Sequence, residues 1–207
     1  MTWVKVCGLR DARGIEAAVS AGADAVGFVL VPASPRWVSP EQAAGLAAGI
    51  SATAVILTVD LPPDEVLGLA IAIGAGGVQP YGHHAAAVAA AAARQGLLVL
   101  RPVSIDGPTS FDHIPTDQLP LADSAGAFEN GGAAVHGGTG RVFEWSHLRS
   151  SERAFVLAGG LGPDNVGRAV AEVRPYGVDA SSRLEASPGV KDPELIRRFV
   201  RAAKDQP

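Results

Sequence analysis

Two side chains in this sequence are of the types that move protons. Cys7, the only cysteine, closes the apolar stretch Trp3-Val4-Lys5-Val6-Cys7-Gly8-Leu9, and Asp123 closes Leu119-Pro120-Leu121-Ala122-Asp123. A thiolate accepts a proton and a protonated carboxyl supplies one. If both stretches are strands whose ends open on one cup, the pair suits acid–base isomerisation of a sugar phosphate. Each residue also has a plainer reading. A lone cysteine is most often a small buried hydrophobe, and a strand-end aspartate often caps the following turn.

A second signal is a cradle for an anion. Leu157-Ala158-Gly159-Gly160-Leu161-Gly162-Pro163 reads as a strand that runs through adjacent glycines straight into a helix. Glycines let backbone N–H groups approach an anion, and a helix N-terminus adds favourable partial charge. Ser181 and Ser182, after the last predicted strand, supply further donors. Gly159, Gly160, Ser181 and Ser182 are therefore read as a phosphate site, against the plainer reading that the glycines only turn the chain. Arg36 lies in a loop and carries a fork suited to carboxylate or phosphate. Taken alone, it reads as a solvated loop arginine. His83 and His84 are sequence neighbours, about 100° apart on a helix, and chelate poorly. No other spacing suggests a metal, and no cofactor is expected. Gly137-Gly138-Thr139-Gly140 lacks the following helix that a dinucleotide fingerprint needs.

The elements that must position these residues alternate along the chain. Apolar runs predict strands over 3–9, 25–30, 53–59, 77–80, 97–103, 119–123, 154–158 and 176–181. Helical segments are predicted over 11–21, from Ser39, over 64–73, 85–95 and 163–173, and from Asp192. Asp11, Ser39 and Asp192 are read as caps, with Gln42 completing a capping box. The connection 104–117 carries Gly107, Pro108 and Pro115 and is expected to hold little helix. Eight strands, mostly followed by helices, imply a parallel sheet, read as closed into an α/β (β/α)8 TIM barrel in preference to an open doubly wound sheet, with that connection after strand five irregular. In the first strand, period two sends Val4 and Val6 to the helices and Lys5 and Cys7 to the barrel interior. Closure makes the first and eighth strands neighbours, which predicts a buried Lys5–Asp179 pair beneath the site.

Composition bounds the rest. The chain has 207 residues, 47% apolar and 18% charged, with a formal net charge of −4. That is enough for one domain over 1–207 with a full core. The charge balance argues against a nucleic-acid partner, and no apolar run is long enough to span a bilayer. A cytoplasmic monomer acting on a small molecule is expected. The glycine-rich 124–144 segment is expected to order over bound substrate as a lid.

The chain resembles the phosphoribosylanthranilate isomerase family of tryptophan biosynthesis. The resemblance lies in Lys5-Val6-Cys7-Gly8-Leu9, in Gly22-Ala23-Asp24-Ala25-Val26-Gly27-Phe28 running on to Ser34-Pro35-Arg36-Trp37-Val38-Ser39, and in Gly137-Gly138-Thr139-Gly140. It continues in Leu157-Ala158-Gly159-Gly160-Leu161 and in Gly177-Val178-Asp179 through Ser187-Pro188-Gly189-Val190-Lys191-Asp192. It implies a cofactor-free Amadori rearrangement with Asp123 as general acid, Cys7 as general base and Arg36 on the anthranilate carboxylate. Asp179 would also face the substrate, and Gly159, Gly160, Ser181 and Ser182 would hold the phosphate. Three positions depart from the family pattern: Tyr81 replaces a histidine, Arg183 a glycine and Glu144 an aspartate. They bear on substrate range, and leave as alternatives a related phosphosugar isomerase or a phosphate-ligand binder without turnover.

Overall fold

The computed structural model describes residues 1–124, 144–148 and 151–205. Strands β1 (Trp3–Cys7), β2 (Ala25–Val29), β3 (Thr53–Val59), β4 (Gly77–Tyr81), β5 (Leu98–Ile105), β6 (Leu119–Ser124), β7 (Val156–Leu157) and β8 (Gly177–Ala180) close into one parallel barrel in chain order. Around it lie α1 (Ala12–Ser20), α2 (Pro40–Ala47), α3 (Pro63–Ile73), α4 (Ala85–Arg94), α5 (Val166–Val173) and α6 (Pro193–Lys204). The expected barrel is thus what the chain forms, and among the described residues no helix is long and apolar enough to cross a membrane.

The helices begin where short side chains satisfy their first N–H groups. Asp11 accepts from Gly14 N at 2.7 Å, Ser39 and Gln42 complete a reciprocal capping box, and Asp192 accepts from Glu194 N at 2.8 Å. Strand alternation then sorts the core. Val4 and Val6 are fully buried in the layer between barrel and helices, with Ile15 of α1 and Phe199 of α6. The opposite faces fill the barrel. Ala25, Val55, Leu100, Leu121 and Val156 plug it at one level, and Cys7, Val29, Leu57 and Tyr81 form a second level toward the strand C-termini.

Across the seam between β1 and β8, Lys5 stands opposite Asp179. The Lys5 side chain is completely buried, with Nζ 2.7 Å from Asp179 Oδ2 and 2.8 Å from Gln79 Oε1. Burial works against its charge. The carboxylate of Asp179 and, after it, Cys7 outweigh burial and hold the ammonium above its ordinary pKa. The predicted pair is present.

Three expectations are corrected in detail, and one element is added. The seventh strand is Val156–Leu157 and not 154–158, because only those two residues pair with β6 and β8. Ala158 still donates its N–H to Ala122 O at 2.7 Å, and Gly159 beyond it has a positive φ of 81°. The helix that follows starts at Val166 and not at Pro163. Asn165 holds the intervening turn by accepting from Gly162 N at 2.8 Å and donating to Gly160 O at 3.0 Å. The eighth strand stops at Ala180, and Ser182–Leu184 forms a short 3-10 turn. An antiparallel hairpin that periodicity does not reveal, β9 (Glu185–Ser187) with β10 (Val190–Lys191), sits between that turn and α6.

The connection after β5 has no helix, as its prolines require. It is fastened from elsewhere in the chain. The guanidinium of Arg153, just before β7, donates to the carbonyls of Phe111 and Ile114, and to those of Pro115 and Gln118 at 3.2 and 3.1 Å. The expected lid falls largely on residues 125–143, which lie outside the described residues.

Removing one partner of a buried ion pair strands the other charge. Lys5→Met should lower stability by roughly 3–5 kcal/mol in urea titration. Lys5→Met combined with Asp179→Leu should recover part of that loss.

Candidate active site

At the C-terminal ends of the strands the barrel opens into a cup of about 700 Å³ that is continuous with solvent. Its wall includes Cys7, Arg36, Asp123, Gly159, Gly160, Asp179, Ser181 and Ser182. Every site residue expected from the sequence therefore faces one cavity. Gln79, Tyr81, Ser34 and Ser124 complete much of the polar lining.

Cys7 ends β1 directly above Lys5 on the same strand face, and its Cα partner on β2 is Gly27. A Cβ at position 27 would lie 2.7 Å from Cys7 Sγ, so glycine there makes the space the thiol occupies. Burial pushes the thiol pKa up. The Lys5 and Lys191 ammonium groups pull it back, while Asp179 adds to the rise, and the balance stays above the ordinary value. A thiol held above its ordinary pKa is mostly protonated at neutral pH.

Asp123 faces the cup from β6. Burial lifts its carboxyl to about 6, against the Ser124 N–H, which donates to Oδ1 at 2.8 Å and favours the ionised form. Gly159 approaches closely: a Cβ there would lie 2.8 Å from Ser124 N and 3.1 Å from Asp123 Oδ1. That approach, with φ of 81°, requires glycine at this position. The cup thus holds a carboxyl that keeps its proton into the mildly acidic range and a thiol that gives up its proton reluctantly.

Between them runs a buried polar chain. Lys5 can only donate, so Gln79 must turn its carbonyl oxygen toward it and its amide nitrogen away. That nitrogen donates to the Tyr81 hydroxyl at 2.8 Å. Asp179 places its second oxygen, Oδ1, in a buried position with no hydrogen-bond partner among the described residues. Burial, and then the nearby carboxylate of Asp123, raise the Tyr81 phenol well above its usual pKa. Tyr81 therefore stays a neutral hydroxyl where a histidine could have changed charge.

Arg36 is not a solvated loop arginine. Its guanidinium forks onto Glu185, Nε to Oε1 at 2.7 Å and Nη2 to Oε2 at 3.0 Å. The helix contribution expected at Gly159-Gly160 is also corrected, because the Asn165 turn separates those glycines from α5. The loop is completed instead by Ser181 and Ser182 where β8 runs into its 3-10 turn. Arg183 stands alongside and gives Nη2 to Asp164 at 2.6 Å. It is not among the residues with positive φ, so its position does not require the glycine usual there. Among the described residues no cluster of His, Cys, Asp or Glu could hold a metal ion. Sequence reasoning missed Gln79, Glu185 and Lys191 as parts of the site. Their signal was weak but present, as polar residues inside otherwise apolar or very short strands.

A profile of the N-(5'phosphoribosyl)anthranilate (PRA) isomerase family matches residues 4–202. The N-(5'-phosphoribosyl)anthranilate isomerase of Geobacter sp. (strain M21) is 41% identical over 208 residues, covering 99% of this chain and 98% of its own. The chain belongs to the N-(5'-phosphoribosyl)anthranilate isomerase family. The protein of that name from Rubrobacter xylanophilus is 39% identical over 99% of this chain and all of its own length (100%). The crystal structure of phosphoribosyl anthranilate isomerase from Thermotoga maritima superposes with a TM-score of 0.83 at 32% identity, over 99% of each chain. A phosphoribosyl anthranilate isomerase solved with reduced 1-(o-carboxyphenylamino)-1-deoxyribulose 5-phosphate has a TM-score of 0.80 at 31% identity, again over 99% of each.

Two outcomes check this geometry. The folded pKa of Asp123, about 6, lies above its reference of 3.8. Its stabilising contribution is therefore complete below the reference value and is lost as pH rises through about 6. Asp123→Asn escapes that loss, so its stability relative to the parent should rise between about pH 4 and pH 7 in urea titrations. Gly27→Ala should displace the Cys7 thiol and destabilise the chain by about 1–3 kcal/mol. Its activity should fall by more than its melting temperature accounts for.

Proposed function

We propose that residues 1–207 act as one isomerase domain that converts N-(5-phosphoribosyl)anthranilate to 1-(o-carboxyphenylamino)-1-deoxyribulose 5-phosphate, with Asp123 and Cys7 as the acid–base pair. The observation that carries the reading is the shared cup, in which a carboxyl with a raised pKa and a thiol placed over a buried ammonium face one space. A neighbour at 31% identity holds the reduced form of that product.

The steps follow from the protonation states. Protonated Asp123 gives its proton to the ring oxygen as the C1–O bond breaks, and the anthranilate nitrogen lone pair forms the Schiff base. The Cys7 thiolate then removes the C2 proton. The electrons of that C–H bond move into the C1–C2 bond and neutralise the iminium nitrogen, which gives an enolamine that tautomerises to the ketone. Asp123 ends ionised and Cys7 protonated, so one net proton must pass from thiol to carboxylate before the next turnover. Arg36 supports the anthranilate carboxylate. Gly159, Gly160, Ser181 and Ser182 support the phosphate with backbone and hydroxyl donors, and Asp179 lines the space between.

The functional unit in this reading is a single chain, since every group named comes from one barrel. A thiol that works as a base must stay reduced, which suits the cytoplasm.

Loss of substrate fluorescence tests the pair. Cys7→Ala and Asp123→Asn should each lower kcat by roughly 10²–10⁴, and full turnover by either would reject the assignment. The active form carries its proton on Asp123 and not on Cys7. kcat/KM should therefore rise with pH to about 6, where Asp123 ionises, level off, and fall above the raised thiol pKa. Asp123→Asn should lose the break near pH 6.

A further inference from the structure

Glu185 and Lys191 lie outside the reaction steps, yet they touch both the side chain proposed for the carboxylate, Arg36, and one proposed for the phosphate, Ser181. Glu185 is the common acceptor of two cations: Arg36 through its fork, and Lys191 through Nζ to Oε1 at 2.7 Å. Both acidic and basic partners are nearly inaccessible, with side-chain exposures of 4% for Glu185, 2% for Lys191 and 11% for Arg36. Lys191 also donates to Ser181 O at 2.9 Å and to Ser181 Oγ at 3.2 Å. With its lone pair engaged by an ammonium, the Ser181 hydroxyl is left as a donor.

The hairpin carrying the pair is seated tightly on the Arg36 loop. Gly189, at its tip, has φ of 79°, and a Cβ there would meet the Pro35 carbonyl. Gly189 N also donates to Glu185 Oε2 at 3.2 Å. One carboxylate thus fixes the guanidinium proposed for the anthranilate carboxylate and, through Lys191, the neighbouring serine proposed for the phosphate.

We propose that Glu185 and Lys191 are positioning residues that set the separation of the two anion-binding ends, so that the cup selects ligands carrying a carboxylate and a phosphoryl group together. This rests on the isomerase reading of the cup. Charge alone would act in the opposite direction. A carboxylate beside an anion site repels the anion, so a Glu185 that acted only as local charge would weaken anion binding, and its removal would strengthen it.

The sign of the effect therefore tests the idea. Glu185→Gln keeps the size but turns an amide donor either toward Arg36 and Lys191 or toward Arg36 and Gly189 N. Dissociation constants would be measured for inorganic phosphate, for anthranilate and for reduced 1-(o-carboxyphenylamino)-1-deoxyribulose 5-phosphate. The two-ended ligand should bind at least about tenfold more weakly to the variant. Phosphate alone should bind as well as before or better. Tighter binding of all three would reduce Glu185 to a local charge and overturn the proposal. An unchanged ratio between two-ended ligand and phosphate, with only the melting temperature lowered, would overturn it as well. Glu185→Asp provides the same ratio with the charge kept and the reach to two partners lost, should the glutamine variant not fold. A parent that fails to bind the two-ended ligand would count against the isomerase reading. A parent that binds it, with an unchanged ratio in both variants, would count only against the positioning role.

Discussion

A single ammonium group buried at the centre of the barrel constrains most of what surrounds it. Lys5 cannot be hydrated there, so its protons must be taken by Asp179 across the seam and by Gln79 across the interior. The first reinforces the pairing of β8 with β1, and the second ties β4 to β1 across the barrel interior. They also decide the floor of the cup: Gln79 is turned so that it donates to Tyr81, and Asp179, whose Oδ2 is held by Lys5, contributes to the lining. A lysine in that place is costly to bury. It is tolerable because the low-dielectric surroundings that penalise it also strengthen its pairing.

The same burial raises the pKa of both groups proposed to transfer protons, and that one shift serves the two roles differently. Desolvation makes the Asp123 carboxyl hold its proton into the range where it can still donate, and makes the Cys7 thiolate scarce but strongly basic. Lys5 and Lys191 keep the thiolate accessible without making it the resting form. In the proposed reaction the productive state is a minority species, and rate in such an arrangement depends on how basic the base is as well as on how often it is ionised.

Much of this was legible in the sequence where the deciding physics is local or periodic. Asp11, Ser39 and Asp192 cap helices through neighbours three residues away or fewer. The alternation of Val4, Lys5, Val6 and Cys7, combined with closure, places lysine and thiol inside and predicts the partner at 179. Less legible were features set by distant chain. Gly27 reads as one more small residue in an apolar strand until Cys7 is placed against it. The hairpin from Glu185 to Lys191 has strands of three and two residues, too short to show a period. Arg36 read as solvated because its partner lies 149 residues away. The short β7 follows from where β6 and β8 pair with it, and the late start of α5 from the side chain of Asn165, neither of which a hydrophobic pattern registers.

The fastening of the β5–β6 connection by Arg153 has a bearing on how the chain is made. A helix in that place would satisfy its own carbonyls as soon as it was synthesised. Instead, the acceptors at Phe111, Ile114, Pro115 and Gln118 wait for a donor encoded as many as 42 positions downstream. On a ribosome that emits residues in order, this side of the molecule stays provisional until the seventh strand arrives. The first five strands have no such dependence on Arg153, so assembly is expected to run in two stages, with the later quarter of the polypeptide locking a segment that preceded it.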